Sequence, residues 1–539
     1  MIAAEPPFFT SPVLEPFHPV LGTARKKLSR LLIPSFADCF FLAVLIWLFL
    51  AGASGWKALL MDGDTGWHIR TGQYILAHGQ IPRQDLFSYS KAGEPWFAWE
   101  WLSDVIFAIL FAAAGLKGIV LFAGVTIAGV STILLRYTLW RGTNSLIALG
   151  TTLLAIGSST MHFLARPHLF TLLLLPVSLW LLQRDRAALN QGERDRGVWL
   201  LIPLVAIWTN LHGGFVVFLA CLALLIVGCA VESRFYPSRR VAVRRYSAVF
   251  MGCCSATLLN PYGIQLHVHI WRYLRSDWIR NLVQEFQAPT FRNEGQMQFE
   301  LLLILGLLTA GCLIRQKRIT EALWLIFLAH SSLTSLRHAP LYALVAAPIL
   351  AIQLAEWWRQ ETASGPSGSV GRILFQLGED LRPAFMRTSV WAAVTVLVLA
   401  FLNGPVVWPR DFPSEAFPAN LIHRNQKILS QGRVFTTDQW GDYLIYSFYP
   451  RQKVFIDGRS DFYGEALGRD YLAMLEGSYR ALEVLRQQRF DVMLLPVEWP
   501  LAEMLKHRPG WNLVEDDGHA ILFRADPSVA RMPRVLAGS

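Results

Sequence analysis

Two aspartates, a tryptophan, a histidine and an arginine fall within Asp62–Arg70, inside the stretch MDGDTGWHIRTGQYILAHG. Asp62 and Asp64 form an Asp-x-Asp pair. Carboxylates so placed act as a general base or hold a divalent cation such as Mg or Mn. If a helix begins at Asp64, His68 lies four residues on and shares its face. The competing structural reading makes Asp64 a helix N-cap, but a cap leaves Asp62, Trp67, His68 and Arg70 unexplained. Glu100, between Trp99 and Trp101, is a third candidate acid; its structural reading is an interfacial carboxylate beside two tryptophans.

Cations with anion-binding potential stand elsewhere. Arg166 in ARPH and Arg337 in LRHAP are each followed closely by a histidine, His168 or His338. The planar guanidinium makes two bonds to a phosphate, although an arginine at a helix end also snorkels to headgroups. NLHGG places His212 beside Gly213 and Gly214, which permit a close ligand approach. There His212 either lines a site or satisfies a buried carbonyl. NPYG, from Asn260, reads first as a turn. Near the C-terminus, QWGDYLIYSFYPRQKVFIDGRSDFYG brings Asp457, Gly458, Arg459 and Asp461 to the end of a β-like run, where α/β folds commonly form sites. Trp440, Tyr443, Tyr446 and Tyr449 suit stacking on sugar rings, or packing against the rest of the chain.

The elements that must position these residues are mostly apolar. The 539-residue chain is 53% hydrophobic and 16% charged, against about 25% charged in soluble domains. This predicts an α-helical polytopic membrane protein with a C-terminal soluble α/β domain. Eleven apolar runs are candidate spans: 37–56, 118–140, 145–162, 166–182, 198–211, 213–232, 246–260, 299–315, 320–335, 338–356 and 388–403. No cleavable signal peptide is expected; residues 1–35 read as a cytoplasmic segment carrying Arg25, Lys26, Lys27 and Arg30. The membrane part is read as 36–403, with a first outer loop 57–117, and the outer soluble domain as 404–539. In the latter, 433–437, 453–456 and 490–496 are β-like, 465–488 is helical, and 511–523 is a hairpin turning at Asp516, Asp517 and Gly518.

Basic connectors should lie in the cytoplasm. Those around Arg239–Arg245 and Arg315–Arg318 put the C-terminal domain outside, and so does the N-terminal count, provided that 102–114 does not cross. That run is read as an interfacial or re-entrant helix. Almost every unusual polar motif then falls on one, outer, face. The net charge of +10 is thereby a topology signal, not a nucleic-acid one. All six cysteines lie in apolar runs, so no disulfide framework is expected. P-loop, Gly-x-Ser-x-Gly, Cys-x-x-Cys and His-Glu-x-x-His motifs are absent.

This layout resembles the GT-C class of membrane glycosyltransferases: a first span, an acidic first-loop motif, a juxtamembrane helix, many further spans and an outer soluble domain. The first-loop motif is similar to that of oligosaccharyltransferase catalytic subunits, through Asp64, Trp67, His68, Arg70 and Tyr74. The stretches PRQDLFSYS and PWFAWEWLSD also look like bacterial members of this class. The resemblance is specific in sequence only over residues 60–104. It implies a sugar donor on a polyprenyl phosphate or diphosphate in the inner (cytoplasmic) membrane, an outer-face glycan, lipid or protein acceptor, inversion, and a first-loop aspartate as base or metal ligand. By that match Asp64 leads, with Asp62 and Glu100 behind it. His68, Arg70, Arg166, His168, His212, Arg337, His338, Asp457 and Arg459 are the substrate-binding candidates. The chain departs from named subfamilies. It lacks a Trp-Trp-Asp motif, and its first loop has Asp-Gly-Asp where protein O-mannosyltransferases have Asp-Glu. Two rival readings are a non-catalytic assembly or binding subunit on the same scaffold and a lipid or polysaccharide transporter.

Overall fold

The structure is a computed structural model that describes residues 31–51, 55–237, 239–364, 366, 368–401 and 406–526. Arg25, Lys26, Lys27 and Arg30 lie outside these residues. The first apolar helix, Phe36–Ile46, opens with a capping box: Ser35 Oγ accepts from the Asp38 N–H at 3.1 Å, and the Asp38 carboxylate accepts from the Ser35 N–H at 2.6 Å. Short π and 3-10 turns at Trp47–Ala51 and Gly55–Leu60 lead into the Asp64–His78 helix. That helix stops at Gly79, whose φ of 64° suits a residue without a Cβ. Its start goes against the competing structural reading. Asp64 is not the cap; the Asp62 carboxylate accepts from the Asp64 N–H at 2.9 Å, which leaves the Asp64 side chain available for other partners.

Among the described residues four helices are long and apolar enough to cross a membrane: Trp101–Trp140, Phe215–Glu232, Glu294–Arg315 and Leu336–Ser364. A bent pair, Val370–Met386 with Trp391–Phe401, passes the same test as one unit. Four shorter apolar helices, Phe36–Leu50, Ser145–Gly157, Arg196–Leu211 and Ile319–Thr334, accompany them. The chain is thus a multi-pass, helical membrane protein. Fewer helices meet the full span length than the eleven runs suggested, because polar breaks shorten several of them.

The Trp101–Trp140 helix is interrupted at Ala114 and Gly115, the latter with φ 61° and ψ −150°. At 1.5 Å per residue the part before the break is only about 20 Å long, short of a ~30 Å hydrocarbon core. It packs along the Asp64–His78 helix instead. The two backbones meet at Gly72, where a Cβ would stand 1.9 Å from the Asp104 carbonyl oxygen. Gly72→Ala should therefore force the helices apart and destabilise the protein by about 1–3 kcal/mol. A melting temperature equal to that of the wild type would show that this contact is not close.

The C-terminal domain holds a four-stranded sheet, β1 (Val434–Phe435), β2 (Val492–Pro496), β3 (Trp511–Asp516) and β4 (Ala520–Ala525), in the order β1-β2-β4-β3. β1 and β2 are parallel and the other pairs antiparallel. Asp517 and Gly518 turn the expected hairpin. Side chains alternate along each strand. Phe435, Met493, Leu495, Ile521 and Phe523 fill the domain's own core, whereas Val434, Val492, Leu494 and Leu522 join the core that runs through the membrane helices. The expected strand at 453–456 is a pair of single bridges: Val454 pairs with Val434 on one side and with Ser88 of the first loop on the other. That segment joins the first loop to the sheet.

Candidate active site

A cavity of about 1370 Å³, its open mouth included, lies where the first loop, several helix ends and the C-terminal domain meet. Asp64 reaches it from the first turn of its helix. Its Oδ2 is 2.7 Å from Arg166 Nη2, and its Oδ1 accepts from Trp67 Nε1 at 3.2 Å. Burial pushes the Asp64 carboxyl up, the Arg166 charge opposes this, and the nearby Asp62 charge adds to it; the net shift is upward, to about 7.

Arg166 carries more than Asp64. Its Nη1 is 2.7 Å from Asp62 Oδ2 and 3.0 Å from Glu285 Oε1. One guanidinium thus joins three carboxylates. Burial alone would raise Glu285, but the Arg166 and Arg337 charges outweigh it and hold this carboxyl well below its usual range. The same geometry bears on a cation. The guanidinium sits 2.7 Å from both Asp62 and Asp64. Among the described residues no group of three or more histidine, cysteine, aspartate or glutamate side chains is arranged to hold a metal ion.

Glu100 faces the cavity from the turn before Trp101. Its two oxygens lie 3.8 Å from His68 Nε2 and 3.6 Å from His212 Nε2. Burial raises its carboxyl to about 8, against the pull of Arg166, so it holds a proton at neutral pH. His68 Nδ1 sits 2.6 Å from Asp104 Oδ1, which fixes the ring. His212 Nδ1 accepts from the Gly214 N–H at 3.0 Å; a neutral ring then carries its hydrogen on Nε2, towards Glu100. His168 Nε2 meets the His162 carbonyl at 2.6 Å, and His338 Nδ1 the Ser331 carbonyl at 3.1 Å.

Arg337 differs from Arg166. Its Nη1 donates to Tyr273 OH at 3.4 Å, and its guanidinium lies 4.4 Å from the centre of the Phe286 ring. Among the described residues no carboxylate is ion-paired with it. Aromatic packing holds it in place, and its charge acts on Glu285 without a direct ion pair. Leu172, Val216, Val217 and Leu341 make one wall apolar, and Trp96 and Trp99 supply flat faces on another.

The structure brings Asp64, His68, Glu100, Arg166, His168, His212, Arg337, His338 and Arg459 around one cavity, with Asp62 held to its edge by Arg166. Arg70 is a correction. It turns away and donates through Nε to the Tyr446 carbonyl at 2.8 Å. Asp457 is another: it accepts from Arg459 Nη2 at 2.7 Å and from Tyr463 OH at 2.6 Å, while Arg459 also reaches Asp85 at 2.7 Å. This buried set ties the C-terminal domain to the first loop, and Asp457 does not line the cavity. Tyr443 and Tyr446 pack rather than line it: Tyr443 OH donates to Asp411 at 2.8 Å. Sequence reasoning missed Glu285 and Asp442. Glu285 lay within an amphipathic outer segment, and Asp442 within QWGDYLIYS; neither has a local pattern that marks it.

No family model and no curated protein matches this chain. Among the solved structures similar to it are ArnT from Cupriavidus metallidurans in the apo state, at 12% identity, and the same protein bound to undecaprenyl phosphate, at 13%. Each match covers 92% of this chain and 99% of the other, with a TM-score of 0.45. No residue of this chain takes a role from either structure.

Proposed function

We propose that this protein is a GT-C-class glycosyltransferase of the inner membrane that moves a sugar from a polyprenyl-phosphate carrier to an acceptor hydroxyl at the outer face. The observation that carries this reading is the pairing, within one partly apolar cavity, of a buried carboxylate poised near neutrality and an arginine that no carboxylate contacts in a direct ion pair among the described residues. Asp64 takes the proton of the acceptor hydroxyl as that oxygen attacks the anomeric carbon. The bond from this carbon to the phosphate oxygen breaks, and the carrier phosphate leaves with the electron pair. Arg337 meets the charge of the leaving phosphate, while Arg166 stays neutralised by its own acids. A single displacement of this kind inverts the anomeric centre. Glu100, protonated, offers a hydrogen bond to a sugar hydroxyl. Trp99 gives a sugar ring a face to stack on. The apolar wall suits the first isoprene units. In this scheme Arg166 supplies the positive charge that Asp62 and Asp64 share.

The test uses the purified protein in detergent and a panel of polyprenyl-phosphate sugars, with sugar release or transfer followed by mass spectrometry. Turnover with at least one donor is expected, and Arg337→Gln should raise KM for that donor and lower kcat/KM on the order of 100-fold. Turnover indifferent to Arg337→Gln would remove this residue from the donor site. No turnover with any donor would favour the non-catalytic scaffold.

A further inference from the structure

The helix Asp438–Phe448 of the C-terminal domain docks on the Asp64–His78 helix of the first loop. Glycines make the approach possible. A Cβ at Gly63 would stand 2.8 Å from Asp442 Cβ, and one at Gly66 2.9 Å from the Asp442 carbonyl oxygen. A Cβ at Gly458 would stand 2.0 Å from Asp64 Oδ1 and 2.8 Å from Asp442 Oδ2. Two carboxylate oxygens from different domains therefore flank one point that only a glycine leaves open.

The partners of these oxygens are unequal. Asp442 is wholly buried, and its Oδ1 accepts from the Gly458 N–H at 3.0 Å. Its Oδ2 has no hydrogen-bond partner and is turned towards Asp64. Asp64 uses Oδ2 for Arg166, and its Oδ1, which accepts from Trp67 Nε1 at 3.2 Å, also faces this point. The charged and titratable groups around Asp442 are mostly acids: Asp438 on its own helix, Asp64 at the start of the first-loop helix with Asp62 just before it, and Asp457 beside Gly458. Glu285 lies beyond Asp64, and Tyr471 OH bonds Asp438. The nearby cations are taken: Arg166 by Asp62, Asp64 and Glu285, and Arg459 by Asp85 and Asp457. Two facing, buried carboxylates cannot both be ionised without a large penalty.

We propose that Asp442 is a positioning residue for Asp64: its carboxyl keeps a proton on Oδ2 and donates it as a hydrogen bond to Asp64 Oδ1, so that the reaction centre is completed only when the C-terminal domain is docked. The inference rests on the reading of Asp64 as the base, and it adds a second, protonated carboxyl to that site. The donated bond locks the Asp64 carboxylate between Asp442 and Arg166. Burial, then the charges of Asp64 and Asp457, push the Asp442 carboxyl well above its usual range, against the Gly458 N–H, in agreement with this division of the proton.

Infrared difference spectra of the full chain in detergent test the pair without any substrate. Wild type minus Asp442→Asn should show the C=O band of a protonated carboxyl at neutral pH. In an Asp64→Asn background that band should titrate away at lower pH, since Asp442 loses both the opposing charge and its acceptor. This second comparison leaves Asp442 itself intact and stands if Asp442→Asn fails to fold. No such band at neutral pH, or a band whose titration ignores Asp64→Asn, overturns the proposal. With a donor in hand, Asp442→Ala should lower kcat on the order of tenfold or more and move the acid limb of the pH–rate profile upward. Asp442→Asn, which keeps a donor, should restore much of both. Equal losses in the two variants would overturn the positioning role. A band that behaves as expected in a protein without turnover supports the pair and overturns the enzyme reading.

Discussion

Asp64→Asn is expected to lower turnover with a polyprenyl-phosphate sugar by about 10²–10⁴-fold, the range that a positioned general base contributes. The amide retains the shape of the side chain and an oxygen for the Arg166 guanidinium, which still holds Asp62 at 2.7 Å and Glu285 at 3.0 Å. The variant should therefore fold, and the loss should lie in kcat. The wild-type pH profile supplies the second reading. A base acts when deprotonated, and the Asp64 carboxyl is raised to about 7 by burial and by Asp62, less the opposing effect of Arg166. Activity should thus fall as pH drops through about 7, not through the ordinary carboxylate range near 4. The matching of the carboxyl to neutral pH is what makes it an effective base. Unchanged turnover in Asp64→Asn would move the chemistry to Glu100, whose carboxyl titrates near 8. A wild-type acid limb near pH 4 would show that the ion pair, not burial, controls Asp64.

Arg166→Leu is expected to have the largest effect on stability. The guanidinium is the shared counter-ion of Asp62, Asp64 and Glu285. Its loss leaves three carboxylates together, of which the Asp64 side chain is only 8% exposed. Breaking a buried pair by removing one partner costs about 3–5 kcal/mol, because a buried charge is left uncompensated. The sign with pH follows from the same charges. Without Arg166 the folded-state carboxyls titrate above their unfolded values, so the folded state binds more protons and the deficit shrinks as pH falls through that raised range. Thermal unfolding in detergent, followed by tryptophan fluorescence, should show a much lower melting temperature at pH 8 than at pH 5.5. Adding Glu285→Gln and Asp62→Asn to Arg166→Leu should recover part of the loss at pH 8. A melting temperature unaffected by Arg166→Leu would mean that water or ions already screen this cluster. Arg166→Lys should lie between, since a point charge cannot serve three acids in one plane.

Much of this protein was legible in one dimension. Low charge and long apolar runs require helices buried in lipid or in one another, and period-two patterning near the C-terminus requires strands. The helix start at Asp64 and the hairpin at Asp517–Gly518 follow from local chemistry. The site's acids and arginines were also visible, because charged residues at the ends of apolar runs have few structural uses. Arg70 shows the limit of local reasoning even within one helix: six residues after Asp64 it is turned about 240° round the axis, and it binds the Tyr446 carbonyl on the far side.

Pairing was decided by tertiary structure alone. Arg166 and Arg337 read alike in sequence, each near a proline and a histidine. In the fold one is neutralised by acids 104 and 119 residues away in the chain, and the other rests on aromatic rings with no carboxylate in direct ion-pair contact. Asp442 is separated from Asp64 by most of the chain, and only the glycine-lined docking of two helices brings their oxygens together. Local sequence sets backbone preference and which face is apolar, since both depend on neighbours a few residues away. Whether a buried charge is paired, and so whether it stabilises, accepts a proton or binds an anion, depends on distances across the fold and on the water excluded when it closes.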